Sequence, residues 1–293
     1  MLHQPSRTES LTIRGLRYQL RHWGEPGAPR VFFLHGWMDC SPTFQFVVDA
    51  LARDWHVIAP DWRGYGGSEW LGRPYWFPDY HADLDALLAL CSPGVPARLV
   101  GHSMGGSVAA TYAGLRPDRV RQLVVLDFLG LKPSPPGQGA ADILGSWLDA
   151  VGEPPRLRVY RDTTQLARRL VAVNPRLTPE RAAFLAAQVS RRRPDGQVEM
   201  ACDPWHKIPA PYPYRIEDAM DCWRRVEAPV LQLVAAQGYV RQRFGGNDAP
   251  EFRRRIGCFR RVRLEEVADA GHNLQHDQPG QVARLLEDFL ERD

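Results

Sequence analysis

The chain has 293 residues, 44% of them hydrophobic, enough for one large α/β domain or one domain with an inserted lid. The net charge is only +3, and Lys132 and Lys207 are the only lysines. The clusters Arg191-Arg192-Arg193, Arg253-Arg254-Arg255 and Arg260-Arg261 are scattered among acids. They read as solvated faces, and no nucleic-acid-binding motif accompanies them.

Met1 to Ser10 is polar, without an apolar signal segment, and no run approaches membrane-spanning length. The five cysteines, Cys40, Cys91, Cys202, Cys222 and Cys258, have no paired or metal-like spacing. Free thiols in a soluble cytoplasmic protein, with no membrane and no nucleic-acid partner, are the expectation.

Leu11 to Leu20 alternates around Gly15 and predicts an antiparallel hairpin. Val31 to Leu34 is wholly apolar, as a strand buried on both faces should be. It runs into His35-Gly36-Trp37-Met38-Asp39. Phe44 to Leu51 has helical spacing. Trp55 to Ala59 reads as a strand ending in the glycine-rich loop Asp61 to Ser68. Pro78 opens an amphipathic helix with Tyr80, Leu84, Leu87 and Leu88 on one face.

Ala97 to Val100, apolar but for Arg98, reads as a strand, and Ser107 to Leu115 is a helix-compatible run rich in small residues. Between them stands Gly101-His102-Ser103-Met104-Gly105-Gly106. A strand turning abruptly into a helix brings backbones close, so bulk-free residues must flank the apex. The helix N-terminus favours negative charge at Ser103. The spacing is that of a nucleophile elbow.

Val120 to Leu126 is the next strand, ending at Asp127. From Leu131 to about Val226 prolines and glycines cluster at Pro133 to Gly139, then helical segments follow with no clear strand. Pro229 to Ala235 and Val262 to Val267 restore the strand pattern, and Phe252 falls in a helix between them. Gly271-His272 follows the last strand, and Gln281 to Leu290 is a closing amphipathic helix. The expected architecture is α/β, a mostly parallel sheet of about eight strands with helices on both faces. Residues 1–130 and 227–293 form this core, and 131–226 an inserted helical cap.

A serine hydroxyl needs a base and oxyanion donors to act as a nucleophile. His272 is the candidate base and His276, read as a surface residue, the second choice. His35 reads as a loop brace, and His102 should point away from its neighbour Ser103. The backbone amides of Trp37 and Met104 are the candidate oxyanion donors. The ring of Trp37 can also pack on the lid, and Asp39 is read as pinning its loop. The acid is the open question. Ala235-Ala236-Gln237-Gly238 offers no carboxylate after its strand. Asp127 does, and reads either as the acid or as a structural turn aspartate.

Taken together, His35-Gly36-Trp37, Asp61 to Ser68, the Ser103 turn and Gly271-His272 resemble the α/β-hydrolase superfamily over almost the whole chain. His35 to Asp39 and Asp203-Pro204 are similar to serine hydrolase-like proteins. The Asp61 loop also resembles epoxide hydrolases and haloalkane dehalogenases. Their nucleophile is normally an aspartate, and Ser103 in that place argues against both. Dehalogenases of one type carry their acid at the position matched by Leu126-Asp127-Phe128. The resemblance implies the chain order serine, acid, histidine. It also implies hydrolysis of an ester or related acyl bond through an acyl-serine.

No metal or cofactor is implied. Thioester cleavage, acyl transfer or C–C hydrolysis would use the same residues, and a non-catalytic binding protein would keep the pocket without turnover. Trp147, Tyr160, Trp205, Tyr212, Tyr214 and Trp223, with Trp37 and Trp62 facing them, suggest a lipophilic acyl substrate. The alternative is that these rings form the cap's own core.

Overall fold

Apolar runs too short for helices become the middle of a sheet. Strands β1 (Ser6–Ile13), β2 (Leu16–Trp23), β3 (Arg30–Leu34), β4 (His56–Pro60), β5 (Ala97–His102) and β6 (Val120–Leu126) precede the expected insertion. The insertion holds β7 (Val159–Tyr160), β8 (Ser190–Arg192) and β9 (Val198–Met200). Strands β10 (Val230–Ala235) and β11 (Val262–Val267) follow it. The structure, a computed structural model, describes residues 3–132, 135 and 137–291. Pro133 and Pro136 of the predicted proline cluster lie outside the described residues.

Eight strands form one sheet in the order β1-β2-β4-β3-β5-β6-β10-β11. The β1–β2 and β2–β4 pairings are antiparallel and the others parallel. The hairpin extends beyond the predicted Leu11 to Leu20, because Ser6 pairs with Trp23. Ser6 to Ser10 lie mostly in solvent on an edge strand, so burial left no apolar signature there.

Helices α1 (Gln45–Asp49), α2 (Pro78–Cys91) and α3 (Met104–Leu115) lie before the insertion. Within it run α4 (Ala140–Val151), α5 (Thr163–Val173), α6 (Pro179–Gln188) and α7 (Ile216–Arg224). After it come α8 (Tyr239–Phe244), α9 (Pro250–Ile256), α10 (Leu274–Asp277) and α11 (Pro279–Leu290). Leu84, Leu88, Val108, Tyr112 and Trp223 close one face of the sheet over Phe32 and Leu99. Val47, Val282, Leu286 and Phe289 close the other over Phe33 and Val100. Adjacent residues of one strand thus serve opposite cores, which is why Val31 to Leu34 reads as an unbroken apolar run. Among the described residues no helix is long and apolar enough to cross a membrane.

Three readings are corrected, the first two of them within the inserted stretch. First, that stretch contains a three-stranded antiparallel sheet, β7-β9-β8. Its strands are two or three residues long, and Arg191 and Arg193 both pair with Glu199 across it. Polar pairs leave no apolar periodicity to read. Second, α7 packs on α3, so closely that a Cβ at Gly114 would lie 1.9 Å from the carbonyl oxygen of Cys222. Trp223 therefore belongs to the sheet's core, as does the fully buried Trp62. Third, Arg255 is not on a solvated face. It is buried, and its guanidinium donates to the carbonyls of Leu129 and Leu131.

A buried ion pair anchors the glycine-rich loop. Arg63 meets Asp83 through two bonds of 2.5 and 2.6 Å, and Tyr18 donates to the same carboxylate. Asp83→Ala leaves Arg63 with Asp79 as its remaining carboxylate and takes the acceptor from the buried Tyr18 hydroxyl, and should cost about 1–3 kcal/mol of stability. A urea midpoint within error of the parent would contradict this.

Candidate active site

Ser103 sits at the apex between β5 and α3 with φ 51° and ψ −114°. That backbone is strained for a residue with a side chain. Glycine makes the turn possible: a Cβ at Gly105 would lie 2.0 Å from the Leu34 carbonyl oxygen. At Gly101 it would lie 2.4 Å from the Gly105 carbonyl oxygen. The Ser103 amide donates to Leu126 O at 3.1 Å, tying the turn to the end of β6.

That end carries Asp127, fully buried and itself at φ 47°. Its Oδ1 accepts from the Ala235 amide at 3.2 Å, and its Oδ2 from the Tyr239 amide at 2.6 Å. Gly238 makes room: a Cβ there would lie 2.3 Å from Asp127 Oδ2. The same Oδ2 lies 2.8 Å from His272 Nδ1, and His272 Nε2 lies 2.9 Å from Ser103 Oγ. The carboxylate can only accept, so Nδ1 carries the ring proton and Nε2 is left to accept from the serine hydroxyl. Ser103, His272 and Asp127 are thus brought together from the ends of β5, β11 and β6.

The sequence reading missed Gly238 and the Tyr239 amide. A glycine just past a strand was the sole signal. Gln237 is exposed, and its amide bonds to the carbonyl of Ala270.

The other histidines find structural partners. His35 Nδ1 lies 2.8 Å from Gly36 O, and Nε2 accepts from the Trp62 amide at 2.9 Å. Burial lowers its pKa to about 4, so the ring is neutral. His102 points toward the base: Nε2 donates to the His272 carbonyl at 2.8 Å. His276 is buried, not on the surface, because α10 turns it inward beneath Arg181 and Phe46. The loop carrying Trp37 lies against the nucleophile, since a Cβ at Gly36 would lie 3.3 Å from Ser103 Cβ. Asp39 does pin that loop, accepting from the Cys40 amide at 2.9 Å and from Thr43 Oγ1 at 3.1 Å.

The inserted stretch is laced over the site at both sides. Asp203 accepts from the Gly72 amide at 2.9 Å and from Tyr75 Oη at 2.8 Å. Asn174 donates to Asp277 at 2.6 Å, near His272. Beneath it a cavity of about 400 Å³ reaches Ser103, walled by Met104, Phe77, Phe128, Leu131, Ile208 and Tyr212. A second cavity of about 330 Å³ touches Ser103 from the His272 side. Trp37 borders both. Of the aromatic residues singled out in the sequence, Trp37 and Tyr212 thus face the site, while Tyr160 packs in a core of the inserted stretch itself.

Residues 29–279 match the family model described as the alpha/beta hydrolase fold. The chain is 28% identical to a serine hydrolase-like protein of Danio rerio over 281 residues, 92% of this chain and 83% of that one. It is 29% identical to a 3-hydroxybutyrate-oligomer hydrolase of Cupriavidus necator over 290 residues, 94% of each chain. Among solved structures it resembles the thioesterase domain from the curacin biosynthetic pathway in fold. The TM-score is 0.84 at 23% identity, covering 97% of this chain and 99% of that one.

Proposed function

Because the chain belongs to the α/β-hydrolase family, we propose that it is a serine hydrolase that cleaves the ester bond of a small lipophilic acyl substrate. The observation that carries this reading is the continuous run Asp127 Oδ2, His272 Nδ1, His272 Nε2, Ser103 Oγ at 2.8 and 2.9 Å. Ser103 Oγ attacks the ester carbonyl carbon as His272 Nε2 takes its proton. The amides of Trp37 and Met104 hold the oxyanion, the second favoured by its place at the N-terminus of α3. His272 returns the proton to the departing alkoxide. Water, deprotonated by the same nitrogen, then frees the acyl group. Asp127 holds the ring and stabilises the imidazolium.

The inserted stretch from α4 to the 3₁₀ turn Pro204–Lys207 acts as the cap, while α7 serves the core. The motive for a non-catalytic binding protein was a missing acid after β10. Asp127, reaching from β6 to within 2.8 Å of His272 Nδ1, supports turnover instead. Thioester cleavage, acyl transfer and C–C hydrolysis draw on the same groups and are the alternatives tested by a substrate panel.

The wide, apolar-walled cavity next to Met104 supports a preference for longer acyl chains. Across p-nitrophenyl esters from acetyl to hexanoyl, kcat/KM should rise by up to about fourfold per methylene. A steady fall from acetyl onward would refute the lipophilic reading. Faster turnover of matched acyl thioesters than of esters would move the assignment to a thioesterase.

A further inference from the structure

Two cavities meet at Ser103, and they differ in the second reacting group they touch. The larger is bounded by Ser103 and Met104 but not by His272. The smaller is bounded by Ser103 and His272 together. In ester cleavage the leaving oxygen departs by taking the proton that His272 Nε2 removed from Ser103. That oxygen, and the alcohol attached to it, must lie on the His272 side. The acyl chain is then left with the larger, aromatic cavity.

The walls of the smaller cavity say what the alcohol carries. Leu170, Val189 and Met200 supply apolar surface, and Asp39, Asn174 and His276 supply polar groups. Among the described residues that line it, no lysine or arginine occurs, and Asp39 holds the one carboxyl group. An anionic alcohol would therefore meet a like charge with no counterion. Each oxygen of Asp39 accepts one bond from the loop, from the Cys40 amide and from Thr43 Oγ1. A carboxylate has about four acceptor sites, so capacity remains. Burial raises the Asp39 pKa to about 7, the mark of a carboxylate short of compensating charge.

We infer that the smaller cavity is the leaving-group site and that its alcohol carries a hydrogen-bond donor, a hydroxyl or an ammonium, received by Asp39. This rests on the serine hydrolase reading above. Asp39 acts here as a specificity-determining residue, beyond its part in shaping the loop.

The test uses octanoyl esters in two size-matched pairs: hydroxyethyl against propyl, and dimethylaminoethyl against isopentyl. In the native protein the donor-bearing member of at least one pair should have about tenfold higher kcat/KM. The pair that shows it tells hydroxyl from ammonium. In Asp39→Ala that ratio should fall toward one; a ratio is insensitive to general damage to the loop. Native ratios near one in both pairs, or a preference that survives Asp39→Ala, overturn the inference.

Leu170→Trp provides a second reading should Asp39→Ala not fold. Filling the smaller cavity should slow the acylation burst, more so for larger alcohols, and slow hydrolysis of the common octanoyl-enzyme far less. A shifted acyl-chain preference instead would mean the cavities are assigned the wrong way round. Active-site titration with a fluorophosphonate runs beside each assay. A native protein that does not label has failed the serine reading itself; one that labels but shows no donor preference has failed this inference alone.

Discussion

Ser103→Ala is expected to lower kcat by about a millionfold and to abolish labelling by a fluorophosphonate, while the native protein labels at Ser103. The size of the loss follows from what the residue supplies. In the proposed mechanism its oxygen is the atom that bonds to the acyl carbon, and the turn presents it on a strained backbone, with φ 51° on a residue that carries a Cβ. Removing the hydroxyl leaves only oxyanion donors and binding to act on the ester. The rate they sustain over water is about a thousand- to ten-thousandfold. The turn keeps its glycines in Ser103→Ala, so the variant should fold, and circular dichroism checks that it does. Labelling that persists in Ser103→Ala would locate the nucleophile elsewhere.

Asp127→Asn should lower kcat by about a thousandfold or more. Oδ2 of Asp127 lies between two nitrogens, the Tyr239 amide at 2.6 Å and His272 Nδ1 at 2.8 Å. A carboxylate accepts from both. An amide is mismatched either way round: with its oxygen at the Oδ2 place its NH₂ faces the Ala235 amide donor, and with its NH₂ there it faces the Tyr239 donor, donates to His272 Nδ1 and moves the ring proton to Nε2. In the second case Nε2 can no longer accept from Ser103. The negative charge that steadies the imidazolium is lost in either case. Urea unfolding of Asp127→Asn separates lost catalysis from lost fold. Gln237→Ala should stay within about threefold of the parent, because that side chain is exposed. Near-native turnover in Asp127→Asn would mean that the acid lies elsewhere or that Ser103 and His272 act as a pair.

Much of this fold is legible locally. Runs such as Val31 to Leu34, apolar throughout, and Val230 to Ala235, apolar but for Gln232, must be strands with both faces covered, because they are too short for helices. The elbow is legible because its glycines answer a steric demand made within a few residues. Where local signals are weak the reading was short or wrong. Ser6 to Ser10 pair at an edge without burial, and β7 to β9 are held by ion pairs and a turn.

The sequence by itself determined the parallel sheet and the positions of Ser103 and His272 past the ends of recognisable strands. Only the tertiary structure decided which acid faces His272. Asp127 and His272 are 145 positions apart, and they meet because β10 pairs with β6 on one side and β11 on the other. Nothing within a window of sequence encodes that neighbourhood. The same holds for Trp223, read as a ring of the cap and packed instead in the sheet's core, and for His276, which α10 turns inward. Local sequence sets which groups can bond; the strand order sets which of them arrive within 3 Å, and at a cleft built from three strand ends that order decides the chemistry.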